Sequence, residues 1–153
     1  MAYPVAMESG RHSSVSIPFV PDPEALRRAD PRTRERLSEP ATRAFLSLVA
    51  RWNLSVPELQ GLLGWLSEST VHKYKSAGKV GTLSYDTLTR ISLCLGIYNA
   101  LHVFFAEPPL ADQWVKVANS NVLFGGQAPL TLMIHGGIDG LYQVRRLLEA
   151  RLQ

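Results

Sequence analysis

His135 and Asp139 stand four residues apart, a spacing that on one helix face would let an imidazole and a carboxylate share a proton. Gly136 and Gly137 lie between them and interrupt such a helix, so the two are not expected on one face. No Ser or Cys nucleophile accompanies them in a known motif, and hydrolytic chemistry is set aside. His12, His72, His102 and His135 are scattered, and Cys94 is alone, so no spacing suits a metal. His102 lies on a mostly apolar stretch and reads as a histidine at the edge of a core. Cys94, among Ile91, Leu93 and Leu95, reads as a small buried apolar residue. Gly136-Gly137-Ile138-Asp139-Gly140 has part of the glycine spacing of a dinucleotide loop, but no strand precedes it, and cofactor binding is rejected. The residues therefore predict neither an enzyme, nor a metal site, nor a cofactor site.

The elements that position these groups read as helices throughout. Six of the ten prolines fall before residue 41, and residues 1–40 are expected to be a largely flexible tail, with a helical turn or two at most between Pro23 and Leu37. From Ala41, Phe45, Leu48, Val49 and Trp52 recur at helical spacing, and Asn53 ends that helix. Ser55 caps a second helix with Pro57 and Glu58 in its first turn, Leu59, Leu62 and Leu63 inward, and Gly64 as its stop. Ser67 caps a third, containing Val71 and Tyr74 and ended by Gly78. Ser84 caps a fourth with Leu88, Ile91 and Leu95 inward, which Gly96 stops or kinks. Helix continues from Ile97 to Phe105. Leu110, Trp114 and Val117 predict a short amphipathic helix behind Pro108-Pro109, and Leu130 to Ile134 another. The last helix is expected to bury Leu141, Val144, Leu148 and Leu152. No stretch alternates like a strand, and the fold class is all-α.

Charge is unevenly spread. Residues 1–40 carry six basic and six acidic side chains, and residues 83–153 five of each. Residues 41–82 carry five basic side chains against two acidic, which is the whole net +3. An excess placed there favours a phosphate-bearing partner.

Ser55 to Gly64 followed by Ser69-Thr70-Val71-His72-Lys73-Tyr74-Lys75 resembles the Xre-type helix-turn-helix, whose second helix enters the DNA major groove. At 100° per residue Val71 and Tyr74 share one side of that helix, and Ser69, His72, Lys73 and Ser76 lie opposite. Ser69, Thr70, His72, Lys73, Lys75, Ser76 and Lys79 are the candidate DNA contacts, hydroxyls and imidazole for base edges and ammonium groups for phosphates. Two departures stand out. Gln60 occupies the place of a small residue four before the turn glycine, with Gly61 beside it, and the spacing from Gly64 to Val71 is one residue longer than usual.

Trp114-Val115-Lys116-Val117-Ala118-Asn119, Phe124-Gly125-Gly126-Gln127-Ala128-Pro129-Leu130, Gly136-Gly137-Ile138 and the helix from Leu141 to Leu148 follow one another in an order that resembles the toxin-binding C-terminal domain of the Xre/MbcA/ParS antitoxins. These proteins are encoded beside RES-type toxins that consume NAD⁺. The resemblance implies a domain over residues 106–153 that packs on the toxin and obstructs its cleft, after a helix-turn-helix domain over residues 41–105. By position, Trp114 and Phe124 would be core anchors. Arg145, Arg146, Arg151 and Gln153 would lie near the toxin's cleft. Opposite the buried stripe of the last helix lie Gln143, Arg146, Leu147 and Ala150, a second stripe that reads either as a toxin-facing surface or as one exposed leucine on a solvated face.

The expected protein is a non-enzymatic antitoxin that silences a RES-type toxin and represses its own operon by binding operator DNA. The rival reading is a stand-alone regulator whose C-terminal domain dimerises. Helix-turn-helix readers commonly work as two-fold dimers, and Ile97 to Phe105 is apolar on more than one face, so a homodimer is expected. No apolar run nears the ~20 residues of a membrane span, the first twenty residues lack a secretory pattern, and one cysteine fits a reducing compartment, so the expected location is the cytoplasm.

Overall fold

Asp30 and Pro31 begin a helix where the proline count predicted a tail. In the computed structural model, which describes residues 23–76 and 80–152, α1 spans Pro23–Ala29 and α2 spans Pro31–Arg51. The expectation of a flexible tail is thereby corrected for residues 23–40; residues 1–22 lie outside the described part. Pro31 sits at the first helical position, where an absent N–H has no helical partner to lose. The Asp30 carboxylate caps the same end, accepting from the Arg32 amide and the Thr33 hydroxyl at 3.3 and 2.9 Å. Pro40 lies inside α2 without ending it, because the turn is held from outside. The buried Ser38 hydroxyl accepts the Leu83 amide at 2.8 Å, and Thr42 donates to the Ser38 carbonyl at 2.8 Å. Tertiary anchoring thus offsets the missing backbone bond.

The next elements begin where their caps predict. α3 is Val56–Leu62, α4 Glu68–Ser76 and α5 Tyr85–Phe104. Asn53, at φ 51°, turns the chain out of α2. Ser55 and Glu58 form a capping box at α3, and Ser84 accepts the Thr87 amide at 3.1 Å at α5. Gly96 does not stop α5; the helix runs through it. The space left by its missing side chain is filled by the Arg145 guanidinium, 3.1 Å from where a Cβ would stand.

After α5 come α6, Pro108–Gln113, 3-10 turns at Trp114–Lys116 and Val122–Phe124, α7, Pro129–His135, and α8, Gly137–Leu152. α5 is the central element and packs on α1, α2, α6 and α8. One contiguous core joins Phe45, Leu48 and Trp52 of the first half to Met133, Leu141, Val144 and Leu148 of the second. Of the apolar stretch Ile97 to Phe105, Ile97, Ala100 and Leu101 are buried within the chain, while Val103 and Phe104 are exposed.

Two face assignments are corrected. In α6 and the turn after it, Ala111 and Val115 are fully buried, whereas Leu110 and Val117 are 49% and 58% exposed. The element is rotated by about one residue from the predicted stripe. Its phase is set by Ala111, small enough to permit close approach to α5. At the end of α8, Leu152 is 40% exposed rather than core.

Candidate partner-binding surfaces

The turn between α3 and α4 accounts for both departures seen in the sequence. Gly64 and Trp65 both take left-handed backbone, φ 82° and 65°, which absorbs the added residue. The backbone carbonyl of Gln60 accepts the Trp65 amide at 2.7 Å, as any residue there could, but its side-chain amide also donates to the Leu66 carbonyl at 2.9 Å, a task beyond a small residue. The small residue needed for close packing is Gly61, where a Cβ would stand 2.5 Å from the Ile134 side chain of α7. The Trp65 ring leans on His135, centroids 5.9 Å apart, so the turn is braced by α7.

α4 presents the predicted outward set. Ser67 caps it, accepting the Thr70 amide at 3.2 Å. Val71 is buried and Tyr74 half-buried, while Ser69, His72, Lys73, Lys75 and Ser76 are exposed and Thr70 is half-buried. The hydroxyls of Ser69 and Thr70 lie 3.0 and 2.9 Å from that of Ser67, and Ser76 donates to the His72 carbonyl at 2.8 Å. Among the described residues no carboxylate pairs with Lys73 or Lys75, so both ammonium groups face solvent. Lys79 and Gly78 lie outside the described residues.

The second surface is built around α7 and α8. Asn119 and Asn121 hold the loop that leads to them: each side-chain carbonyl accepts an amide two residues on, at 2.8 and 2.9 Å. Trp114 and Phe124 meet edge to face with centroids 5.8 Å apart; Phe124 is buried and Trp114 half-buried. One residue, Gly136, separates α7 from α8. Gly137 takes φ 63°, and Gly140 lies so close to α7 that a Cβ there would stand 2.4 Å from the Leu132 carbonyl oxygen. The glycines are thus a hinge of fixed angle, not a phosphate loop. His135 and Asp139 fall on different helices, as the intervening glycines predict, and Asp139 accepts from Gln143 at 2.9 Å.

On α8 the predicted residues divide. Arg146, Ala150 and Arg151 are exposed, Gln143, Arg145 and Leu147 are half-buried, and Gln153 lies outside the described residues. Leu147 packs against the core margin, on the flank of the buried stripe of Leu141, Val144 and Leu148. Arg145 pairs with Glu149 at 2.8 Å, and Arg146 rests over the Tyr142 ring at 5.9 Å.

Sequence reasoning missed Lys116. Its ammonium donates to the Asn53 carbonyl at the end of α2 and lies 3.6 Å from the Glu58 carboxylate, tying the C-terminal part to the α2–α3 junction. Burial alone would raise the Glu58 pKa. The Ser55 amide and hydroxyl, with Lys116, outweigh it and hold the carboxyl below its usual 4.5. The only signal in the sequence was one lysine among apolar residues. His102 and Asp112 likewise join α5 to α6 at 2.8 Å. Cys94 is fully buried, and burial pushes its thiol up to about 12 against a small opposing effect of Arg90. Among the described residues no group of three or more His, Cys, Asp and Glu is placed to hold a metal ion, and no helix is long and apolar enough to cross a membrane.

Residues 100–152 match the family of the antitoxin Xre/MbcA/ParS C-terminal toxin-binding domain. The matched segment runs from the end of α5 through α8. The chain is also similar to the uncharacterized protein y4oB of Sinorhizobium fredii (strain NBRC 101917 / NGR234), 34% identical over 128 residues, which cover 84% of this chain and 96% of that protein. No solved structure matches the chain.

Proposed function

From the premise that this chain belongs to one family with the rhizobial protein and carries an Xre/MbcA/ParS antitoxin toxin-binding domain, we propose that it silences a RES-type, NAD⁺-consuming toxin by seating that domain over the toxin's cleft. The match over residues 100–152 is the observation that carries the reading. The arrangement is suited to binding another protein. α8 is held at a set angle by the glycine hinge and carries Arg146, Ala150 and Arg151 toward solvent beside half-buried Gln143, Arg145 and Leu147. The RES class rests on the order of Trp114, Asn119, Phe124-Gly125-Gly126, Pro129-Leu130 and Gly136-Gly137. The location is the cytoplasm, where such a toxin would act, and no cofactor is required of the antitoxin.

The same chain represses its operon by binding operator DNA as a homodimer. This reading is supported by the exposed Ser69, His72, Lys73, Lys75 and Ser76 on α4, where no carboxylate among the described residues pairs with Lys73 or Lys75. The competing reading, a regulator whose C-terminal domain only dimerises, would leave α8 without a toxin to bind.

Coexpression with the product of the neighbouring reading frame tests the main proposal. A toxin that arrests growth alone, depletes NAD⁺ and is tolerated and copurified with this chain supports it. A neighbour that never arrests growth, or arrests it equally with the chain present, overturns it. For the DNA half, Lys73→Ala with Lys75→Ala should weaken operator binding and reduce the salt slope by roughly one unit for each phosphate no longer neutralised. An unchanged slope removes α4 from the DNA interface.

A further inference from the structure

A groove of about 690 Å³ runs between α1–α2, α5 and α8, a size typical of binding sites. Its floor and walls are apolar where Leu37, Pro40, Ala41 and Ala44 of α2 face Leu88, Ile91 and Leu95 of α5. Along α5 the lining extends from Leu88 to Asn99, about 16 Å at the helical rise. That length accommodates about five residues of extended chain.

One end of the groove holds a charge to which the described residues bring no opposite. Arg28 is only 6% exposed. Its Nε donates to the Thr89 hydroxyl at 3.1 Å, and its guanidinium lies 5.9 Å from the Tyr85 ring centroid. Both partners are neutral. Among the described residues no carboxylate lies within ion-pair distance of it. A guanidinium removed from water without a counter-charge is costly, and the cost falls when an anion is brought to it. Glu24 and Glu149 also line the groove, but Glu24 pairs with Arg27 and Glu149 with Arg145. Arg145 and Arg146 add cationic groups on the α8 wall.

We propose that this groove receives a short apolar segment of the toxin whose carboxylate pairs with Arg28. The inference rests on the antitoxin reading above and deepens it. Continuity with the toxin-binding domain identifies the occupant: the α8 wall, with Tyr142, Arg145 and Arg146, lies within the matched residues 100–152. The opposite wall lies outside that match, on α1 and α2. The toxin interface therefore extends beyond the C-terminal domain, and a fragment beginning at residue 83 binds more weakly than the full chain.

The test measures affinity of the full chain for the toxin encoded beside it, together with thermal melting of each variant. Arg28→Met removes the charge and keeps the apolar stem. Ala44→Trp, at an exposed position of α2, fills the groove without replacing a core side chain. Each is expected to melt within a few degrees of wild type and to bind toxin at least tenfold more weakly. If Arg28→Met fails to fold, Ala44→Trp still decides. Wild-type affinity in Ala44→Trp overturns the groove proposal and leaves the antitoxin reading standing. A variant that loses self-association but keeps its toxin affinity overturns it too, by making the occupant a second copy of this chain. Absence of toxin binding by wild type itself refutes the antitoxin reading and is thereby told apart from a failure of the groove alone.

Discussion

Replacing Gly140 by alanine should be one of the two most damaging single-methyl changes between α7 and α8, with Gly136→Ala the other. The added Cβ would stand 2.4 Å from the Leu132 carbonyl oxygen and 3.3 Å from its carbonyl carbon. Ordinary contact begins near 3.4 Å, so α7 and α8 must separate by about an ångström. The obstruction is backbone, and no rotamer change relieves it. Slack is also lacking, because Gly136 alone joins the helices and itself donates to the Leu132 carbonyl at 2.7 Å. Separation would lift Leu141 and Val144, both fully buried, from their seats against α5 and α7. Overpacking of this kind costs about 1–3 kcal/mol, with the upper end apt where backbone must move. For a chain of this size 3 kcal/mol corresponds to a fall in Tm of roughly 6–12 °C. Gly137→Ala is the internal control. It meets nothing within 4 Å and suffers only from φ 63°, a cost of about 1–2 kcal/mol. Melting followed by circular dichroism decides. If Gly140→Ala melts within about 1 °C of wild type, or higher than Gly137→Ala, the close-approach argument is refuted.

Three further outcomes follow from the same geometry. Leu148→Ala should cost about 2–5 kcal/mol as a buried leucine truncation, and Leu147→Asp clearly less, while weakening toxin binding; equal melting points would make Leu147 a full core residue. Cys94, buried and with its thiol at about 12, should resist iodoacetamide in the native protein and react on unfolding in urea, so rapid native labelling would contradict its placement. Glu58 titrates below its ordinary value when folded, so its stabilising share is present above about pH 4.5 and lost as pH falls through the lower folded value. Glu58→Gln or Lys116→Met should therefore flatten the acid limb of stability against pH, and an unchanged limb would detach this latch from acid unfolding.

The sequence by itself determined the features that local chemistry controls. Ser55, Ser67 and Ser84 cap helices within three residues of themselves, and Asn53 and Gly64 end them through left-handed backbone. Helical periodicity placed Val71 inward and Lys73 outward on α4, and put Leu141, Val144 and Leu148 on one stripe of α8. Such signals act over one or two turns and are legible wherever they occur. Tertiary structure decided the rest. α1 and α2 are ordered through contacts with α5, among them Arg28 to Thr89 and Ser38 to Leu83, which join residues 61 and 45 positions apart. No local count of prolines registers such pairings. The phase of α6 was open because Leu110 and Ala111 are both apolar, and only the approach to α5 selects the smaller one. Leu147 sits at the margin of its stripe, where a neighbouring helix determines whether a leucine is wet or dry. Lys116 and the Arg28 groove depend on groups far apart in the chain, and the free energy of such contacts exists only once the chain has brought them together.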